Sequence, residues 1–117
     1  MKTLADYVEK NSNYRIWEYG APYSMQGIRI LAIIGVWSHF DLNFLQWLKD
    51  ALERGLLKHA SIDLFDGLAE SPSMQDLIPG LGGADTPIVG VWEDGMFREF
   101  TSGCRRSQQL IEKYLAV

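Results

Sequence analysis

The sequence predicts an α/β domain with a central mixed β-sheet, a C-terminal antiparallel hairpin, and helices on both faces of the sheet. The nearly continuous apolar and β-branched segment 28–36 suits a strand that is covered on both sides. The apolar spacing changes to that of a helix directly afterwards, from Phe40 onward. Near the C-terminus, two β-prone segments flank Asp94-Gly95, which is a strong hairpin signal.

The N-terminal part has weaker signals. Leu4, Tyr7 and Val8 fall on one side of a short predicted helix, which residues 11–13 end. Residues 14–19 alternate loosely and are interpreted as a strand, which the glycine and proline of residues 20–24 interrupt. The sequence does not define the structure of residues 12–27 further.

The central elements are better marked. A helix is predicted from Phe40 to Gly55, because its apolar residues repeat at helical spacing and a glycine closes it. Residues 60–64 alternate between apolar and polar side chains, which predicts a strand. Ser71-Pro72 predicts the start of a short helix, with a hydroxyl cap and proline at the first helical position, and residues 79–83 end it.

The C-terminal segment completes the pattern. Strands are predicted at residues 88–92 and 96–101. After Gly103, an apolar stripe at helical spacing predicts a last helix that extends to the C-terminus. With 117 residues, of which 47% are apolar, we expect a single domain covering residues 1–117.

Composition excludes several classes of function. The net charge is −4 and the basic residues are scattered apart from Arg105-Arg106, so nucleic acid is a poor candidate partner. The longest apolar segment, 28–36, is shorter than the roughly 20 residues that span a bilayer. The first ten residues lack the apolar stretch of a signal peptide, and the chain has one cysteine, so a reducing cytoplasm is the expected location.

The order of elements, together with short motifs near the C-terminus, resembles thioredoxin over most of the chain, from about residue 28 to residue 117. Thr86-Pro87 and the hairpin that follows are similar to the cis-proline strand and hairpin of that family. Residues 100–103 are similar to its last strand and to the glycine before its final helix. The resemblance implies a thioredoxin-like fold with a cis peptide bond at Thr86-Pro87.

The chemistry of the family is missing from the matching positions. Its redox motif is Trp-Cys-x-x-Cys, and the matching residues 37–41 read Trp-Ser-His-Phe-Asp. The family also keeps a buried aspartate in the preceding strand, whereas residues 28–36 contain no carboxylate. The resemblance therefore implies a redox-inactive member that is not a dithiol–disulfide oxidoreductase, with no cofactor and no metal.

Residues 38–41, at the junction between the predicted strand and the helix that follows it, can be interpreted as structural or as catalytic. Ser38 and Asp41 have the spacing of a capping box, in which two side chains pair with backbone N–H groups at a helix start. We favour capping over a Ser-His-Asp triad that includes His39, because three residues on one tight turn rarely converge. His39, His59 and Cys104 lack metal-site spacing.

The four tryptophans are not equivalent. Trp17, Trp47 and Trp92 are interpreted as core or half-buried packing residues, because large aromatic side chains dominate burial in small domains. Trp37 is the exception. The resemblance places it beside the former active-site groove, where it would be partly exposed.

The leading hypothesis is a redox-inactive binding, adaptor or chaperone-type module. It would hold an extended segment of a partner protein beside the cis-proline, because main-chain pairing does not depend on cysteines. The predicted groove consists of Trp37, Ser38, His39, Phe40, Asp41, Thr86, Pro87, Gly103 and Cys104.

Two alternatives remain open. One is a single-cysteine redox protein or sensor that acts through Cys104, because a helix N-terminus with Arg105 and Arg106 nearby favours a thiolate. Against it, we favour a Cys104 that is simply packed under the turn, where burial would raise its pKa. The other alternative is a structural subunit of an oligomer.

Overall fold

The computed structural model describes residues 2–9, 14–55, 59–67 and 74–115. The strands within these residues are β1 (Tyr14–Ile16), β2 (Ile28–Ile34), β3 (Ala60–Asp66), β4 (Ile88–Glu93) and β5 (Met96–Ser102). The helices are α1 (His39–Glu53), α2 (Met74–Leu77) and α3 (Cys104–Leu115), and a 3₁₀ turn lies at Leu4–Asp6. Each predicted strand is present. The predicted start of the α2 helix at Ser71-Pro72 lies outside the described residues.

The strands form one mixed sheet in the order β1-β3-β2-β4-β5. β1 and β2 both run parallel to β3, whereas β4 is antiparallel to β2 and β5 is antiparallel to β4. The β4–β5 turn has positive φ angles at Asp94 (50°) and Gly95 (81°), as a tight hairpin turn requires. The predicted mixed sheet with a C-terminal hairpin is confirmed.

Side chains of β2 alternate between two hydrophobic layers. Ile30, Ala32 and Ile34 face one layer, which α1 and α3 cover with residues such as Phe44 and Ile111. The other layer contains two β2 residues together with side chains from the 17–27 segment, from β3 and β4, and from α2 and the residues that follow it: Trp17, Leu31, Ile33, Phe65, Leu77, Ile78, Leu81 and Ile88. Helices therefore lie on both faces of the sheet, and β2 is buried on both sides, as predicted.

Within residues 2–9, the predicted N-terminal helix is a single 3₁₀ turn at Leu4–Asp6, and two side chains distant in sequence bind its main chain. The Leu4 N–H donates to Asp66 Oδ2 at 3.0 Å. Lys49 Nζ donates to the Tyr7 C=O at 3.1 Å. Residues 11–13, which were predicted to end the helix, lie outside the described residues.

The connection from β1 to β2 spans residues 17–27 without a helix. Strands that run parallel in one sheet need a crossover, which is usually helical. Here the crossover is an irregular loop: Trp17 Nε1 donates to the Ala21 C=O at 3.0 Å, and the Gly27 N–H donates to Asp94 Oδ1 at 2.8 Å. Side chains of this loop and of the α2 region together cover this face of the sheet.

Glu99 fastens helix α3 to the edge strand β5. Its Oε2 accepts hydrogen bonds from Lys113 Nζ and Tyr114 Oη, each at 2.7 Å. Burial, together with the hydrogen bond to Glu99, raises the pKa of Tyr114 to about 12. In the described part of the chain, no helix is long and apolar enough to cross a bilayer.

Candidate functional site

Trp37 lies just after β2 with its indole against two glycines. A Cβ atom added to Gly35 would come within 2.7 Å of Trp37 Cζ2 and 2.6 Å of Thr86 Oγ1. A Cβ atom on Gly67 would be 3.3 Å from Trp37 Cη2. The absence of side chains at both positions therefore makes room for the indole. Trp37 is nevertheless 61% exposed, which confirms the predicted partial exposure.

A cavity of about 340 Å³ lies beside this indole. Of the nine predicted groove residues, Trp37, Ser38, Phe40 and Thr86 line it. Phe40 is 71% exposed. The cavity is completed by Met74, Ala84 and Asp85. The name groove is used below for the surface formed by these seven residues.

Thr86 and Pro87 connect the groove to strand β4. The peptide bond between them is cis. Pro87 is buried, and its C=O accepts a hydrogen bond from the Gly103 N–H at 2.9 Å. Among the hydrogen bonds of the described residues, none involves the main-chain N–H or C=O of Thr86. Gly103, Cys104 and Pro87 do not line the groove.

The predicted capping box at the start of α1 is wrong. Ser38 occupies the N-cap position, but its side chain makes no capping hydrogen bond. The Ser38 N–H already donates to the Gly35 C=O at 3.1 Å. Asp41 Oδ2 instead accepts the Gly35 N–H at 2.6 Å, so this carboxylate holds the strand-to-helix junction from inside the protein.

Asp41 is fully buried and does not line the groove. Its second oxygen, Oδ1, has no hydrogen-bond partner among the described residues. His39 is exposed and does not line the groove. No described contact links Ser38, His39 and Asp41 as a triad would require. Within the described ranges, no three histidine, cysteine, aspartate or glutamate side chains lie close enough to share a metal ion.

Cys104 begins α3 as predicted, but its surroundings do not favour a thiolate. It packs against the layer formed by α1 and α3, and Gln108 Nε2 donates to its Sγ at 3.5 Å. Burial raises the pKa of the thiol and the charge of Asp41 raises it further, whereas the hydrogen bond from Gln108 lowers it. Arg105 and Arg106 are exposed. This environment agrees with the packed cysteine that the sequence favoured.

Alkylation of Cys104 in the native protein is expected to be slow at neutral pH. Because burial disfavours the charged form, the midpoint of the rate against pH should lie above the ordinary thiol value of about 8.5. Mass spectrometry after timed iodoacetamide treatment measures this rate. Gln108→Ala should move the midpoint higher, because it removes the hydrogen bond that lowers the pKa. A native midpoint below the ordinary value would contradict this expectation.

The solved structures that the chain resembles are thioredoxins. The oxidised thioredoxin of Plasmodium falciparum superposes with a TM-score of 0.61 at 17% identity, covering 79% of this chain and 85% of that chain. Fasciola hepatica thioredoxin gives 0.59 at 12% identity, covering 79% and 83%. Aeropyrum pernix thioredoxin gives 0.52 at 15% identity, covering 77% of each chain.

Similarity at this level of identity concerns the fold alone. No protein-family model matches the sequence, and no curated protein matches it. The superpositions and the sheet order define the class: the chain has a thioredoxin-like fold. With one cysteine in 117 residues, it contains no Cys-x-x-Cys motif.

Sequence reasoning missed several residues that shape the groove. A signal was present for Gly35, because glycine inside an apolar strand pattern often marks a close approach of another group. No comparable signal marked Met74, Ala84 or Asp85. Met74 reaches the groove from the start of α2, and Ala84 and Asp85 reach it from the connection between α2 and β4.

Proposed function

We propose that this protein is a binding module that holds an extended segment of a partner protein in the groove, without redox chemistry. The observation that carries the proposal is the main chain of Thr86, whose N–H and C=O make no hydrogen bond among the described residues and lie beside two exposed aromatic side chains. We also propose that it acts in a reducing compartment, for which a chain with one cysteine is suited.

Unpaired main-chain groups at the end of a strand are suited to an extended ligand. Such a ligand gains affinity from main-chain hydrogen bonds, while alternate side chains enter pockets and provide specificity. Each hydrogen bond contributes a net of about 0.5–1.5 kcal/mol. Thr86 offers one donor and one acceptor two residues before β4, at a position that neither β2 nor β5 pairs with, so an extended partner segment can pair with it there.

The aromatic side chains supply the apolar part of the proposed contact. Trp37 and Phe40 are both mostly exposed although they are large and apolar. Such side chains, adjacent on a small domain, are typical of interaction surfaces, and tryptophan is enriched among residues that dominate binding energy. The groove volume of about 340 Å³ is at the lower end of ligand pockets, which suits one or two partner side chains.

The cysteine supports binding over catalysis. A mixed disulfide formed at Cys104 would have no second thiol in the chain to resolve it. Burial raises the pKa of Cys104, which reduces the fraction of reactive thiolate at neutral pH. The missing second thiol and the raised pKa of Cys104 both disfavour thiol chemistry, but they leave the main chain of Thr86 and the exposed Trp37 able to bind a partner.

The test is direct binding of extended peptides. Peptides are selected from a displayed random library, and their affinities are measured by calorimetry. Trp37→Ala should weaken binding roughly tenfold or more, because it removes the central apolar contact. The matched control is Tyr19→Ala, which removes an aromatic side chain that is also 61% exposed but lies outside the groove. That variant should bind as the wild type does.

Main-chain pairing is tested separately by NMR and by modified peptides. The Thr86 amide resonance should shift on binding, and N-methylation of one peptide amide should remove most of the affinity. Peptide binding that leaves the Thr86 resonance unmoved, or that survives Trp37→Ala, would contradict the proposal. A dimer in sedimentation that Trp37→Ala dissociates would instead support the structural-subunit alternative.

A further inference from the structure

A second cavity, of about 400 Å³, lies under the crossover of residues 17–27. It shares no lining residue with the groove. Its walls are mainly aromatic and aliphatic, and they include the buried arginine of β2: Trp17, Tyr19, Tyr23, Arg29, Leu77 and Trp92. The volume falls within the range of small-molecule pockets.

Arg29 is the unusual residue of this cavity, because its side chain is only 5% exposed. Its Nε donates to Asp63 Oδ2 at 2.8 Å. The other oxygen, Asp63 Oδ1, accepts from Arg15 Nε at 2.8 Å. Arg29 Nη2 is buried and has no hydrogen-bond partner among the described residues. A buried charged donor without a partner is costly, so this atom has unused capacity to bind an acceptor.

Three aromatic rings hold the guanidinium in place. The Arg29 Cζ lies 3.9 Å from the ring centroid of Tyr23, 5.0 Å from that of Trp17 and 5.3 Å from that of Trp92. Contacts of this kind attract the cation to the ring faces and restrict its orientation. The donor is therefore preorganised, which reduces the entropy lost when a ligand binds.

The charges around Arg29 nearly cancel. Asp63 is buried and pairs with Arg29. Arg15, whose side chain is 47% exposed, and Asp76, which is exposed and lines the cavity, carry opposite charges that water screens in the same way. The feature that favours an anion is therefore the unpartnered Nη2 donor of the guanidinium.

We propose that this cavity binds a small aromatic carboxylate, with the carboxylate accepting from Arg29 Nη2 and the ring packed against the aromatic walls. A carboxylate forms strong, charge-assisted hydrogen bonds with guanidinium N–H groups, and a flat ring matches walls made of indole and phenol groups. Because Nη2 has almost no accessible surface, binding requires the Tyr23 ring to move aside, while Trp17 and Trp92 keep the guanidinium in place. Tyr23 is exposed and lies in a crossover without a helix.

The test compares benzoate with its neutral analogue benzamide. Both have similar size, and only benzoate carries the charge that Arg29 should recognise. Benzoate should raise the melting temperature and change the tryptophan fluorescence, with an affinity roughly tenfold or more above that of benzamide. Equal affinities, or no binding of benzoate, would overturn the proposal. Tighter binding of inorganic phosphate than of benzoate would overturn the assignment to an aromatic carboxylate.

Variants separate recognition from stability. Arg29→Gln should abolish the preference for benzoate over benzamide. If Arg29→Gln does not fold, Asp76→Asn provides the test. Because Asp76→Asn removes a nearby negative charge, it should tighten benzoate binding a few-fold and leave benzamide unchanged. An unchanged benzoate affinity in Asp76→Asn would contradict the placement of the carboxylate. Trp37→Ala, which alters only the groove, should bind benzoate as the wild type does.

Discussion

Replacement of Asp63 by alanine is expected to lower the free energy of unfolding by about 3–5 kcal/mol, the cost of removing one member of a buried ion pair. Asp63 lies on β3, is buried, and accepts hydrogen bonds from Arg15 and Arg29. Without its carboxylate, the Arg29 guanidinium would stay in an apolar layer with no counter-ion. Urea denaturation followed by circular dichroism measures the change.

Arg15→Ala is the matched control for Asp63→Ala. It removes the other arginine that binds Asp63, but the Arg15 side chain is 47% exposed. Exposed ion pairs contribute about 0–1 kcal/mol, and Arg29 would still be paired with Asp63 in this variant. If Asp63→Ala were no more destabilising than Arg15→Ala, the ion pair in the core would not have the stabilising role that its burial indicates.

The sequence predicted those elements whose structure is determined by local patterns. β2 is marked by its continuous apolar residues, and the hairpin is marked by Asp94-Gly95, which readily adopt the positive φ angles of the turn. The N-terminal turn and the 17–27 crossover depend instead on contacts distant in sequence, such as that of Leu4 with Asp66. Such contacts leave no local periodicity, so these segments could not be predicted.

The same distinction applies to the groove. The exposure of Trp37 followed from its position at the end of β2, which the resemblance provided. The capping box failed because Ser38 and Asp41 have the correct spacing, but Gly35 supplies both the acceptor for Ser38 and the donor for Asp41. Only the three-dimensional path of the junction shows which of two N–H groups the carboxylate binds.

Arg29 was visible in the sequence as the one charged residue inside a segment predicted to be buried on both faces. A charged side chain in such a position requires a partner, because the cost of burying an unpaired charge is large. The partner is Asp63, which the sequence analysis did not assign to it. The three rings around Arg29 could not be predicted, because two of them come from the irregular crossover.

Asp41→Ala is expected to lower the free energy of unfolding by about 1–3 kcal/mol, because it leaves the Gly35 N–H without its acceptor. Loss of a negative charge in the first turn of α1 adds to the effect. Asp41→Asn is the matched control. An asparagine oxygen can still accept from Gly35, so the loss should be smaller than in Asp41→Ala, although the asparagine NH2 group would take the place of the unpartnered Oδ1 and offset part of the gain.

The pH midpoint of Cys104 alkylation measures the effect of the Asp41 charge, and this measurement does not depend on the free energy of unfolding. Since that charge raises the pKa of the thiol, both variants should move the alkylation midpoint of Cys104 to lower pH. The hydrogen bond between Asp41 and Gly35 thus contributes to the free energy of unfolding, whereas the charge of Asp41 affects the alkylation midpoint of Cys104. Equal destabilisation by the two substitutions would contradict the role of the hydrogen bond. An unchanged midpoint in both would show that the Asp41 charge does not reach Cys104, and that burial alone makes the thiol unreactive.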